Sequence, residues 1–320
     1  MSAPARILVI RLSALGNVVQ SLGAFAAIRR HHPRAHITLL TTAPFASWLA
    51  GSPYFDAVWT DERPDWWDLP GLLRLRARLR AGCFERVYDL QTSARSSRYF
   101  RLFPRHARPE WSGIARGCSH PDADRGRDRL HDLDRQAGQL RAAGIAEVPP
   151  PDLSWTGGDA TRFRLRSPYA LLVPGSSPHR PGKRWPAAGY AALAAALADE
   201  GLRQVVIGGA AERRIAETIA RAAPVTDLTG QTSLGDLASL ARGAALAVGN
   251  DTGPMHLIAA AGCPSLVLFS GESDPALCAP RGPRVVILRQ APLAALLPGV
   301  VIAAALELRR PQPQAASDGD

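Results

Sequence analysis

The chain has 320 residues, of which 46% are hydrophobic and 21% charged, a balance that excludes disordered and fibrous classes. Its length fits two domains of about 150 residues, each able to bury a core, and no run approaches the ~18 uninterrupted apolar residues of a membrane span. The formal net charge of +10 is concentrated in the first half, in an arginine series from Arg74 to Arg129, which suits an anionic partner.

The first elements read as a strand over 6–11, a loop Leu12-Ser13-Ala14-Leu15-Gly16 and a helix over 18–30 with apolar residues at helical spacing. A second strand over 36–40 completes a βαβ unit, whose glycine-containing loop lies where doubly wound sheets bind ligands. Arg11 cuts the N-terminal apolar run and no small-residue cleavage site follows, so no signal peptide is expected. A basic helix over 70–81 and a strand over 86–90 follow, the strand ending in the polar Asp89-Leu90-Gln91-Thr92-Ser93. The stretch Val148-Pro149-Pro150-Pro151-Asp152, with Gly157-Gly158 after it, interrupts every periodic pattern. This organisation predicts an N-terminal domain over 1–150, a linker over 151–167 and a C-terminal domain over 168–310.

In the second half, strands over 169–173, 204–207, 244–248 and 265–269 alternate with helices over 187–200, 211–222, 234–241 and 254–261, which predicts a second parallel sheet. Residues 311–320, rich in Pro, Gln, Ser and Asp, are expected to be disordered. The cysteines Cys83, Cys118, Cys263 and Cys278 have no metal-ligand spacing and are expected as reduced, buried thiols. No metal or cofactor is expected.

Two segments carry chemistry. Among 38 basic side chains, Lys183 is the single lysine. It follows the strand over 169–173 and the turn Gly175-Ser176-Ser177, where a compact ammonium suits phosphate held as a point charge. The second segment is Gly249-Asn250-Asp251-Thr252-Gly253-Pro254-Met255-His256. Proline at the first helical turn, with Thr and Asp before it, marks a helix start whose free N–H groups suit an anion. A well-capped helix with no ligand would read the same way.

Three segments resemble the bacterial ADP-heptose:lipopolysaccharide heptosyltransferases, glycosyltransferase family 9 with the GT-B fold. They are Ile7-Leu8-Val9-Ile10-Arg11-Leu12-Ser13-Ala14-Leu15-Gly16-Asn17-Val18-Val19, the run from Pro174 through Lys183-Arg184-Trp185-Pro186, and Gly249 through His256. Asp89-Leu90-Gln91 and Gly208-Gly209-Ala210-Ala211-Glu212 add weaker matches. The resemblance implies an α/β protein of two Rossmann-like domains with parallel sheets facing across a cleft. It implies an inverting transfer of a heptose or similar sugar from an ADP-sugar to a lipopolysaccharide core or related anionic glycan.

By the same resemblance, Ser176, Ser177, Lys183, Thr252 and Gly253 would hold the donor diphosphate, Glu212 the ribose hydroxyls, and Asp251 and His256 would orient phosphate or sugar. Arg184 and Trp185 would pack beside the nucleotide or brace the loop. Ser13, Gly16, Gln91, Arg95 and Arg98 fall on the acceptor side. The expected partners are a nucleotide-sugar and an anionic lipid-linked glycan, with a cytoplasmic location, peripheral contact with the inner membrane, and no nucleic acid.

One departure bears on mechanism. The family places an aspartate after the Leu-Gly pair as general base, and here that residue is Asn17, which cannot accept a proton at neutral pH. The alternative reading is therefore a relative that binds nucleotide-sugar with little or no turnover. Asp122-Ala123-Asp124 has the form of a metal-binding DxD motif but sits among Arg125, Arg127 and Arg129, so charge pairing on a solvated surface is expected there.

Overall fold

The computed structural model describes residues 4–310; the tail expected over 311–320 lies outside the described residues. The chain divides into two units. One runs to Gly157 and also takes in Ala276–Ala279; the other comprises the remainder from Gly158.

The first unit contains β1 (Arg6–Ile10), α1 (Leu15–Gln20), α2 (Leu22–His31), β2 (His36–Thr41), α3 (Ala43–Ala50), β3 (Ala57–Thr60), α4 (Leu69–Ala81), β4 (Arg86–Asp89), α5 (Ala94–Tyr99), β5 (Glu110–Gly113), β6 (His120–Pro121) and α6 (Asp132–Ala142). Its sheet has the order β3-β2-β1-β4-β5-β6, with every pair parallel. Ile7, Leu8, Val9 and Ile10 are all buried, as a strand covered on both faces requires. The order reverses between β1 and β4, the switch point at which such sheets open a crevice beyond their strand ends.

The single helix expected over 18–30 is two helices. Ser21 donates its hydroxyl to the Asn17 carbonyl at 2.9 Å, and its N–H is shared between Asn17 O and Val18 O at 3.1 Å. Such back-bonding serine hydroxyls bend helices. The apolar pattern continues across the break, so periodicity alone does not register it. The helix also starts earlier than expected. Val18 N–H reaches Ala14 O at 2.9 Å, which puts Gly16 and Asn17 in the first turn of α1.

The second unit contains β7 (Tyr169–Val173), α7 (Ala187–Asp199), β8 (Arg203–Val206), α8 (Arg213–Ala220), β9 (Val225–Asp227), α9 (Leu234–Gly243), β10 (Leu246–Asn250), α10 (Gly253–Ala260), β11 (Ser265–Phe269), β12 (Val285–Arg289) and α12 (Pro298–Arg309), while α11 (Pro275–Cys278), which falls between β11 and β12 in sequence, groups with the first unit from Ala276 on. Its sheet order, β12-β11-β10-β7-β8-β9, is again all parallel and repeats the connectivity of the first, with its switch point between β7 and β10. The core joins the sheet to α7, α8 and α12 through Leu172, Leu193, Leu197, Ile219, Val248, Leu268 and Val301. At Gly249 a side chain would strike Met255 and Val173 at 2.6 and 2.7 Å, so glycine lets α10 lie close on β10. The helix expected from residue 211 starts with a 3-10 turn, Ala210–Glu212, before α8.

The cysteines are free thiols, but only Cys263 is buried; Cys83 is exposed and the other two are half-buried. Among the described residues no helix is long and apolar enough to cross a membrane.

Candidate functional site

In each unit one side-chain amide spans the switch point. At the end of β10, Asn250 is wholly buried. Its Nδ2 donates to Pro174 O at 2.7 Å and Gly175 O at 3.3 Å. Its Oδ1 accepts from Trp185 N–H at 3.1 Å and from the Tyr190 hydroxyl at 3.0 Å. One residue thus ties the loop after β7, the segment before α7 and α7 itself to β10. Its full set of partners removes the cost of burying an amide. The sequence reading placed Asn250 in a polar loop and missed this role; the strand continues through it.

Around this hub the structure gathers most of the residues singled out in the second half. Lys183 Nζ donates to Asp251 Oδ2 at 2.5 Å, with both side chains largely buried, and Ser273 Oγ donates to the same oxygen at 2.6 Å. Lys183 therefore lies beside the start of α10. Thr252 is the residue before that helix, and its side chain makes no capping hydrogen bond. Gly253 opens the helix and His256 is buried one turn on. Ser273 carried no sequence signal.

Ser176 is buried, whereas Ser177 is exposed. Ser176 Oγ accepts from Arg184 Nε at 3.1 Å and donates to Arg180 O at 3.2 Å, and Arg184 NH2 also reaches Ser176 O at 3.1 Å. Trp185 is buried, donates Nε1–H to Leu296 O at 2.8 Å and packs edge-on against Tyr190. Arg184 and Trp185 brace the loop. Glu212 Oε2 accepts from Gly209 N–H at 2.9 Å. A side chain at Gly175 would meet Glu212 Cγ at 2.7 Å, so this carboxylate lies against the loop after β7.

In the first unit the spanning amide is Gln91. Its Oε1 accepts from Leu12 N–H at 2.9 Å and Ser13 N–H at 3.2 Å, pinning the loop after β1 to the end of β4. Arg11 is 2% exposed. It pairs with Asp132 at 2.9 Å, donates to the Asn17 carbonyl through Nε and NH2 and donates to Leu90 O. Burial lowers the Arg11 pKa against the opposing pull of Asp132. Burial pushes Asp132 up, but Arg11 and Arg135 outweigh it and hold the carboxyl below its ordinary value. Gly16 is buried, and the Asn17 side chain is exposed.

Asp89, buried at the end of β4, is a further residue without a sequence signal of its chemistry. Burial pushes its carboxyl up to about 7, only partly opposed by hydrogen bonds from Ser96, Thr92 and Gln91 and by Arg11. Arg95 and Arg98 project from α5 over the Trp66 ring, at 5.6 and 4.8 Å. They do not gather at the Gln91 loop. A cavity of about 220 Å³ opens instead between the end of β3 and α4, lined by Asp61, Glu62, Arg74 and Arg78 among others. Asp122 accepts from Arg127 at 2.7 Å, with both side chains mostly buried, so the DxD lookalike is a charge pair, less solvated than expected.

The chain is similar to lipooligosaccharide heptosyltransferase 2 of Haemophilus ducreyi, with 26% identity across 89% of this chain and 88% of that protein. In structure it resembles a glycosyl transferase family 9 protein from Veillonella parvula, with a TM-score of 0.82 at 21% identity over 97% and 98% of the two chains. It also resembles the E. coli ADP-heptose LPS heptosyltransferase II, with a TM-score of 0.77 at 23% identity over 95% and 98%. At these identities the likeness of structure establishes the GT-B fold. The model of glycosyltransferase family 9 (heptosyltransferase) matches residues 72–296, well over half of the chain, and the protein belongs to that family.

Proposed function

We propose that the protein is an inverting glycosyltransferase that moves a heptose or similar sugar from an ADP-sugar to a lipopolysaccharide core or related anionic glycan. The observation that carries this reading is the polarity of the second switch point. There Asn250 occupies the carbonyls of Pro174 and Gly175, the Lys183 ammonium stands beside Asp251, and the start of α10 has no side-chain cap. Such an arrangement favours a diphosphate. The structural relative's name, with ADP-heptose in it, supports the same donor.

In the reaction an acceptor hydroxyl attacks the anomeric carbon from the face opposite the diphosphate. The new C–O bond forms as the bond to the β-phosphate oxygen breaks, the hydroxyl's proton passes to a solvent water because Asn17 cannot take it, and ADP departs. Lys183 has three donor hydrogens and can keep Asp251 while stabilising the leaving phosphate. Ser176, Ser177, Thr252 and Gly253 line the phosphate path, with Asp251 and His256 alongside. Glu212 retains lone pairs to accept from ribose. No cofactor or metal enters the scheme.

The acceptor belongs to the first unit, with Ser13, Gly16 and Gln91 at the strand ends and Arg95 and Arg98 meeting its negative charge. Work on a lipid-linked acceptor places the protein in the cytoplasm, in peripheral contact with the inner membrane. Asn17 favours a second reading, donor binding without turnover, because no carboxylate occupies the family's base position. Calorimetric titration with ADP, UDP and GDP, then labelled ADP-heptose turnover on a core acceptor, tests both. Preferred ADP binding with turnover supports the first reading, and ADP binding without turnover selects the second. Equal or absent binding of the three nucleotides overturns the donor assignment.

A further inference from the structure

We propose that the outer face of α4, together with the tryptophan that precedes it, docks the first unit on the surface of an anionic lipid bilayer. Trp67, Leu69 and Leu73 are 80%, 65% and 60% exposed, an unusual cost for three large apolar side chains unless something covers them. Leu69 and Leu73 are one helical turn apart, and Arg76 and Arg80 continue the same face at the next turns. The opposite face, with Gly71, Leu75 and Leu79, is buried. The helix sequence LPGLLRLRARLRA contains no acidic residue.

The loop before α4 is fixed. Trp66 sits beneath the Arg98 and Arg95 guanidinium groups, Arg95 donates to Pro64 O at 2.8 Å, and Asp68 accepts from Gly71 N–H at 2.9 Å. Trp67 therefore projects from a braced loop, on the side away from the core against which its neighbour Trp66 packs. Asp65 is held 3.9 Å from Arg95, which offsets its charge. The result is an apolar ridge ending in arginines, the composition of a helix that lies in a membrane interface. Tryptophan favours the headgroup level, arginine stems extend along apolar surface while their heads stay wet, and the charges complement anionic headgroups. A protein partner would be served by the apolar ridge alone; Arg76 and Arg80, in line with it and without an ion pair among the described residues, favour lipid.

This deepens the membrane contact proposed above by naming its surface. Its test needs neither sugar nor nucleotide, so failure would leave the donor chemistry standing. The full chain is co-sedimented with phosphatidylcholine vesicles with and without phosphatidylglycerol. Binding is expected only with the anionic lipid and weakens with salt. Trp67→Ser with Leu73→Ser should lower the partition coefficient about ten-fold or more, and each of Arg76→Gln and Arg80→Gln about five-fold. Thermal unfolding should stay unchanged, since all four side chains face solvent. Equal binding to neutral vesicles, or variants that bind like the native chain, would overturn the proposal. So would self-association seen by sedimentation that the apolar substitutions abolish while vesicle binding is absent, which would assign the face to a second copy of the protein.

Discussion

The two units use one connectivity and span their switch points with one kind of group, yet the amides work in opposite senses. Gln91 accepts two backbone N–H groups from the loop after β1; Asn250 donates to two carbonyls of the loop after β7. The first arrangement consumes two loop donors; the second consumes two loop carbonyls, while its Oδ1 takes the Trp185 N–H and the Tyr190 hydroxyl further along the chain. A loop whose carbonyls are occupied presents its remaining N–H groups, and the single lysine is in that unit. The same fold thus frees different backbone groups of the first loop in its two halves, a difference in line with the donor assignment proposed for the second.

The comparison extends to what is held rigid. In the second unit the side chains themselves are engaged, as with Lys183, Asp251 and Ser176. In the first, Arg11 and Gln91 fix the backbone around Asn17 and leave its side chain in solvent. A fixed backbone with an exposed side chain is a place where chemistry can change without structural cost. The largest expected effect lies there: Asn17→Asp should raise ADP-sugar turnover by up to ~10²–10⁴, with the gain appearing as the new carboxylate ionises. A steady-state rate profile against pH checks this. A native enzyme already fast and slowed by the aspartate would mean that another group takes the proton.

The fixed backbone can be broken instead. Arg11→Met removes the partner of Asp132 and four hydrogen bonds to the Asn17 carbonyl, Leu90 and Asp132. Breaking a buried ion pair typically costs 3–5 kcal/mol, so a loss of about that size is expected in urea unfolding. A loss below ~1 kcal/mol would show that Arg135 and Gln136, which also contact Asp132, suffice to hold it.

How far these features could be read in advance follows from the type of signal each leaves. The strands Tyr169–Val173 and Ser265–Phe269 coincide with their predicted bounds because a wholly buried parallel strand leaves a continuous apolar run. The short strands β6 and β9, with two and three residues, are too brief to leave a pattern. β12 mixes partly buried and exposed residues with no fully buried one and went unread. Arg11 reads as the end of an apolar run, and only the fold reveals that it enters the core. Asn250 looks like a loop residue and Asp89 like the polar end of a strand, since burial of a polar group depends on partners distant in sequence. By contrast, the small-residue turn and the lone lysine stood out because composition made them locally rare.

Asp89 offers a smaller test of the first switch point. Its carboxyl has an unfolded value of 3.8 and a folded value of about 7, raised mainly by burial. Between pH 5 and 7 the folded state therefore holds a proton that the unfolded state has released, and stability falls as pH rises, by about 2 kcal/mol over that window. Above the folded value the dependence ends. Asp89→Asn should flatten the slope, as read from denaturant midpoints at several pH values. An unchanged slope would mean that another group dominates the window.

The smallest effect is expected at Lys183, where it sharpens the comparison most. Arginine would preserve the charge and could reach Asp251, so an effect of net charge alone would be nil. The native ammonium, however, is largely buried beside Asp251, with Ser273 on the same carboxylate oxygen, and a planar guanidinium is wider and directs its hydrogens in a fixed fork. Lys183→Arg should occupy the volume left for phosphate and weaken ADP binding about ten-fold, or ~1.4 kcal/mol, with the unfolding transition unchanged. Calorimetry of the variant with ADP and with AMP separates the causes. If ADP weakens and AMP does not, the loss lies at the second phosphate, as the diphosphate assignment requires. If both weaken equally, the arginine has displaced the loop after β7 instead, and Lys183 is a brace of that loop. An unaltered ADP affinity would place the diphosphate elsewhere and leave the lone lysine as an accident of composition.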